Sequence, residues 1–385
     1  MKKNKSQKNI PEGWRQVKLG DICVFKKGKG LPKSEMLQEG ENECIHYGEL
    51  FIKYDEKINK ILSFTNSKKD KMFLSEVNDI LMPTSDVTPR GLSTASCITK
   101  RGVILGGDVL VIRCKNKKLN GLFFSYYVNA RKRDVIKLVS GTTVFHLYGS
   151  DMARFKLLLP SLSEQNRIVE VLETWDKYLE ELSKKIEIKK KIKKGLMQKF
   201  IYKRKDVNNI LISDIFNLGR GRVISKNEIK DNIGNYPVYS SQTSSSGILG
   251  KINTHDFEGD YITWTTDGAN AGRVYFRQGK FNCTNVCGTA KLKNDKSANL
   301  YYIASYLNNI TNRYVSYVGN PKLMNGVFGS IKIKLPSLKE QQAIAKVLTV
   351  ADREIEVLEK KKNIIEAQKK YLLNNLITGK IRVPV

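Results

Sequence analysis

The stretch LPSLSEQNRIVEVLETWDKYLEELSKKIEIKKKIKKGLMQKFI, residues 159–201, returns 176 residues later as LPSLKEQQAIAKVLTVADREIEVLEKKKNIIEAQKKYLLNNLI, residues 335–377. Over 159–205 against 335–381 the two copies agree at 19 of 47 positions without a gap, which is too many for coincidence and makes the chain a tandem duplication. Each copy opens where an extended run, FKLLLP or IKIKLP, stops at Pro160 or Pro336. A serine follows, and then Glu164-Gln165 or Glu340-Gln341, which puts a carboxylate in the first turn of a helix, where the dipole favours it. Behind these starts, core positions alternate in steps of four and three: Ile168, Leu172, Trp175, Leu179, Leu182, Ile186, Lys189, Lys193, Leu196 and Phe200. Shifting by 176 gives Ile344, Leu348, Ala351, Ile355, Leu358, Lys362, Ile365, Lys369, Leu372 and Leu376. That is a heptad stripe, which buries itself as knobs into holes against another helix, and the simplest partner is the other copy. Antiparallel pairing is expected, with the lysines weakening the seam and fixing its register.

A fainter echo opens each half, where Asp21-Ile22, Gly28 and Glu35 recur as Asp214-Ile215, Gly221 and Glu228. The order is therefore globule, helix, globule, helix, with boundaries at 10–160, 161–205, 206–336 and 337–378. Within the globules, short β-branched runs such as GVILGGDVLVIRC and KFNCTNVCGTAKLK alternate with turn residues. Helical patterns follow from Leu122 and Leu300, at similar places in the two halves. The fold class expected is α+β: two similar mixed α/β domains joined by two long helices in an antiparallel coiled coil. A helix of about 38 residues spans roughly 57 Å, on the scale of one to two turns of duplex DNA at about 34 Å each. Two globules on such a ruler suit a split target with an unread spacer.

Charge points the same way. Lys and Arg number 67 against 38 Asp and Glu, a net charge of +29, and such a surplus favours a polyanionic partner because each neutralised phosphate releases counterions. At 41% hydrophobic the chain can build cores, which excludes a disordered polyelectrolyte. The basic N-terminus has no apolar run behind it, and no apolar stretch approaches the ~18 residues of a membrane span, so a cytoplasmic location is expected. Six scattered cysteines fit reduced thiols in a core. Only Cys283 and Cys287 are close, with His46, His146 and His255 far from them, so no metal site is expected.

Candidate DNA-reading residues come from the polar loops, where hydroxyls, amides and guanidinium groups can meet base edges. The same residue types are also ordinary turn formers. In the first globule the candidates are Thr84, Ser85, Arg90, Thr142, Thr143 and His146. In the second they are Gln242, Ser244, Thr265, Thr266, Asn270, Arg273 and Lys322. KKGKG and GRGR supply phosphate grips at Lys26, Lys27, Lys29, Arg220 and Arg222. No GxxxxGK[ST] loop, no N/DPP[YF] tetrapeptide and no paired-acid-plus-lysine spacing occurs, so no catalytic residue is assigned and any catalysis belongs to partners.

With IPEGW (Ile10–Trp14), LGDI (Leu19–Ile22), LPSLxEQ twice with a heptad helix after each, and YITWTTDGANAG (Tyr261–Gly272), the chain resembles the specificity (S) subunit of type I restriction–modification systems over nearly its whole length. The second half lacks an IPEGW counterpart. The resemblance implies two target recognition domains, each reading one part of a bipartite duplex DNA target. It further implies two methyltransferase (M) subunits docked on the helices, methylating adenine at N6, and restriction (R) subunits in the larger complex. S-adenosylmethionine, ATP and magnesium would then serve those partners, with no cofactor in this chain and no membrane involved. Residues expected on the partner-facing scaffold are Glu164, Gln165, Ile188, Ile192, Glu340, Gln341, Val357 and Ile364. The rival reading is a basic coiled-coil DNA-binding regulator or architectural protein without methyltransferase partners. A third is the detached recognition part of a single-chain restriction–methylation enzyme.

Overall fold

The computed structural model describes residues 10–115, 118–202, 209–242, 244–294 and 297–384. The chain forms two compact units, Met1–Ser183 with Lys361–Val385, and Lys184–Lys360. Each long helix, Leu162–Met197 and Leu338–Leu376, therefore contributes one half to each unit. The first helix continues into a wider turn at Gln198–Tyr202, and the rest of the expected 161–205 segment lies outside the described residues.

In the first unit a sheet runs in the order Cys23–Lys27, Val109–Cys114, Ile80–Pro83, Ser96–Ile98 and Lys57–Ile58. In the second, Phe216–Arg220, Cys287–Leu292, Tyr261–Thr265 and Val274–Arg277 repeat its first three places and add a different edge. The registers correspond residue by residue: Cys23 faces Cys114 and Lys27 faces Leu110, as Phe216 faces Leu292 and Arg220 faces Gly288. A second sheet completes each domain, with different strand orders. Behind the first sheet of each unit packs one helix, Gly121–Ala130 or Leu300–Ile310, filling a core with Phe123, Phe124 and Tyr126 or with Tyr302, Ile303 and Leu307.

The long helices obey the heptad reading, for every stripe position from Ile168 to Phe200 and from Ile344 to Leu376 is buried or half-buried. In the first unit Ile168 and Leu172 share a core with Leu373, Leu376 and Ile377. Asp176 takes the ammonium of Lys369 there, and Tyr178 lies under Lys361. In the second unit Lys193 reaches Asp352, Lys189 pairs with Glu354 at 2.7 Å and Lys190 with Glu359 at 2.9 Å. Numbers that rise along one helix fall along the other, so in each unit the paired segments are antiparallel. The seam lysines are thus not flaws. Lys193 and Lys369 are matched positions of the two copies, and each finds the aspartate, Asp352 or Asp176, that the other copy places opposite it.

The LPSLxEQ motif fastens each helix to its own domain. Gln165 Oε1 accepts from the Asn120 backbone N–H at 2.8 Å, and its amide donates to the Pro160 carbonyl at 3.1 Å. Gln341 repeats both bonds, to Asn299 N–H at 2.8 Å and Pro336 O at 2.8 Å. Asn120 and Asn299 are the N-caps of the two domain helices, so each glutamine ties one helix start to another.

Candidate nucleic-acid interface

A hollow of about 370 Å³ opens in the first domain, lined among others by Lys26, Lys27, Thr84, Ser85, Asp108 and His146. Gly28 shapes it. A Cβ there would lie 2.0 Å from the Gly106 carbonyl, so only glycine lets the strand end cross that turn. The crossing sets Lys27 Nζ 2.8 Å from Asp108, whose other support is the Thr84 hydroxyl at 3.2 Å. The bond from Lys27, more than any other effect, holds the Asp108 carboxyl below its ordinary range. Across the hollow, His146 Nδ1 lies 3.1 Å from the Ser85 hydroxyl, and its ring stacks at 5.9 Å on Tyr148.

The second domain builds the same place from other residues. Gly221 is constrained as Gly28 is, since a Cβ would meet the Cys283 carbonyl at 2.2 Å. It follows Arg220, whose guanidinium reaches Asp267 at 3.0 Å, the Thr266 hydroxyl at 3.3 Å and the Asn285 carbonyl at 2.5 Å. Lys322 sits opposite Asp267 in a strand bridge, as His146 sits opposite Ser85. In both domains the leucine that follows is fully buried and its N–H bonds the threonine carbonyl: Leu147 to Thr84 at 3.0 Å, Leu323 to Thr266 at 2.9 Å.

Several candidates change role. The side chains of Thr84, Thr265 and Thr266 are buried, which removes them from direct contact with a base. Gln242 donates to the Ile248 carbonyl and braces its own loop, while Asn270 donates to the Ser241 carbonyl and ties its loop to that one. Of the phosphate candidates, Lys26 and Lys29 are exposed, Lys27 and Arg220 are ion-paired at the strand ends, and Arg222 is held by Glu228 at 2.6 Å and Asp256 at 3.0 Å. Those carboxylates, Glu228 first, raise the Arg222 pKa. Thr142 and Thr143 are exposed between Ser140–Gly141 and Phe145–His146, and Arg273 is exposed beside the Gly272 turn. Arg90 faces a different cleft, shared with Lys132 and Arg133. The Ser244 side chain lies outside the described residues.

Sequence reasoning did not single out Asp108, Asp267, Tyr148 or Arg277 as residues of the site. Asp108 and Asp267 stand alone in sequence, and only folding brings each beside its cation. Arg277 is buried between Tyr239 at 3.6 Å and Tyr275 at 4.3 Å and donates to the Ser246 carbonyl at 2.7 Å. Burial, the largest effect on it, lowers its pKa. Nothing in YFRQG distinguishes it from a surface arginine.

The partner-facing residues divide. Glu164, Gln165 and Gln341 are buried and serve the chain internally, which corrects their assignment to a partner surface. Glu164 accepts the Trp14 indole N–H at 3.0 Å and pairs with Arg382 at 2.6 Å. Glu340 accepts from the Ser337 N–H and hydroxyl at the start of its own helix. Ile188, Ile192, Val357 and Ile364 are all at least half-exposed, as are Val350 and Tyr371, which the heptad reading did not single out. Among the described residues no helix is long and apolar enough to cross a membrane, and no three His, Cys, Asp or Glu side chains gather to hold a metal ion.

Comparison with known proteins follows this duplication. Residues 11–194 and 204–367 each match the family model described as the type I restriction modification DNA specificity domain. The specificity subunit of the type I restriction enzyme MjaVIII of Methanocaldococcus jannaschii is 26% identical over 419 aligned positions, 97% of this chain and 94% of that one. That of MpnII from Mycoplasma pneumoniae is 42% identical over 139 residues, 36% of this chain and 41% of that one. The crystal structure of a type I restriction–modification S subunit from M. genitalium superposes with a TM-score of 0.64 at 18% identity, covering 97% of this chain and 98% of that one.

Proposed function

Since the chain belongs to the type I restriction modification DNA specificity family, whose role is to give a restriction–modification complex its DNA sequence specificity, we propose that its two domains each read one half of a split duplex target through the strand ends around Lys27 and Arg220. The observation carrying this reading is the recurrence of one backbone arrangement in both domains: the same glycine crossing, a cation at the strand end and the same bridge, furnished with different side chains. Cations there grip phosphates without regard to sequence, while the differing groups meet base edges. The paired helices fix the unread spacer between the halves. Their exposed apolar residues, Ile188, Ile192, Val357 and Ile364, dock two methyltransferase subunits, which bring S-adenosylmethionine and methylate adenine at N6. Restriction subunits with ATP and magnesium complete the assembly. This chain supplies address and scaffold and performs no chemistry. The rival, a regulator acting without methyltransferases, has no support in the family membership.

Methylation sequencing of the source genome, with and without the gene for this chain, tests the reading. One bipartite adenine-methylation motif is expected to vanish on deletion. An unchanged methylation pattern overturns it.

A further inference from the structure

We propose that His146 and Lys322 are the same specificity-determining position in the two domains, each contacting one base of its own half-site. The inference rests on the reading above and narrows it to one side chain per domain. Three observations carry it.

First, the positions are equivalent. His146 and Lys322 stand 176 residues apart, the offset of the duplicated helices, and each is the antiparallel partner of the residue after the buried threonine, Ser85 or Asp267. Each precedes a leucine that is fully buried and bonded to that threonine. Successive side chains of an extended segment point to opposite sides, so a fixed inward leucine aims the residue before it outward.

Second, the two strand-end sites differ in a telling pattern. Gly28 and Gly221, Thr84 and Thr266, Leu147 and Leu323 are the same residues in corresponding places, and Lys27 and Arg220 are both cations. These positions hold backbone or suit phosphate, jobs that do not depend on base sequence. His146 against Lys322 and Ser85 against Asp267 differ in hydrogen-bonding character. A chain whose halves read different sequences must differ where it reads.

Third, the chemistry of each position is restricted. The Ser85 hydroxyl occupies Nδ1 of His146, leaving Nε2 for a single contact, while Tyr148 stacked on the ring limits its rotation. Lys322 has three donors and no acceptor. Asp267 beside it is engaged by Arg220 and by the Thr266 hydroxyl at 2.6 Å. A donor-only group in the major groove matches best the paired O6 and N7 acceptors of guanine. Lys322 therefore reads a guanine in the second half-site.

The test uses the chain purified with its methyltransferase partner, binding its duplex target and every single-base substitution of it. For K322A, discrimination at one guanine position of one half-site is expected to collapse about ten- to hundredfold, with discrimination elsewhere kept. H146A is expected to relax one position in the other half-site only. Affinity for unrelated duplex DNA, measured alongside, is expected to stay within about threefold, which shows that a relaxed variant is still folded and assembled. If K322A discriminates at every position as the parent does, or loses affinity equally for all substitutions, the inference is overturned while the specificity role stands. If the parent complex itself shows no split target, the underlying reading fails and the inference with it.

Discussion

The two strand-end sites, around Lys27 and around Arg220, are one backbone arrangement written twice with different chemistry. In the first, the strand-end cation Lys27 is answered by Asp108, on the loop before Val109–Cys114; in the second, Arg220 is answered by Asp267, on the loop after Tyr261–Thr265. Charge balance at the strand end is kept although the acid has moved to another loop. Duplication thus conserved the geometry of the strand end and its cation and left the facing groups free to diverge. The helix junctions, by contrast, have kept both geometry and chemistry: Gln165 and Gln341 make the same bonds, and Asp176–Lys369 and Lys193–Asp352 are one pair with its members exchanged. Elements that hold the molecule stayed alike. Those facing a ligand did not.

The largest expected effect tests the sameness of the junctions. Leu172 and Leu348 are copies and both fully buried, so Leu172→Ala and Leu348→Ala should each cost about 2–5 kcal/mol, read by denaturant unfolding. A large difference between them would show that one junction packs better than the other. Next, Gln165→Leu and Gln341→Leu each strand a buried backbone N–H and carbonyl, at about 1–3 kcal/mol by the same measurement. Glu164 is buried between the Trp14 indole and the Arg382 guanidinium, and Glu164→Gln should therefore lower the melting temperature of the protein.

The strand-end sites are compared by salt. Lys29 and Arg222 occupy matched positions, but Lys29 is exposed, whereas Arg222 is held by two carboxylates. Lys29→Ala should reduce the slope of log affinity against log salt by about 0.9, the value of one lost phosphate contact, and Arg222→Ala should leave it nearly unchanged. The smallest effect concerns Asp108. Its folded pKa is depressed, so the stability it contributes is present above the ordinary carboxylate pKa and is lost as pH falls through the lowered value. The pair is well exposed, and Asp108→Asn should cost no more than about 1 kcal/mol at pH 7, a difference from the parent that disappears in melting curves toward pH 3.

Legibility followed period and distance. The heptad stripe could be read to the residue, including Lys189 and Lys193, because a helix repeats its own geometry every few residues and the duplication showed the pattern twice. The short echo Asp21-Ile22, Gly28 pointed correctly to matched strand ends, since a glycine forced by a close backbone crossing has no substitute. The loops were harder. Thr265 and Thr266 looked like readers beside Asp267, and only the packing of the folded domain covers both. Glu164 and Gln165, at the surface of an isolated helix, are covered once Trp14 and Asn120 pack on them from far away in sequence.

From its residues alone this chain was bound to be a duplicated, strongly basic protein with two heptad helices, for these are properties of composition and local period. The tertiary structure decided which polar groups remain available. Asp108 meets Lys27, Asp267 meets Arg220 and Ser85 meets His146 across 81, 47 and 61 residues respectively, and no local rule specifies such meetings. They depend on strand register, which is set by burying one face of each sheet, and a shift of one residue would turn the side chains of a strand to its opposite face.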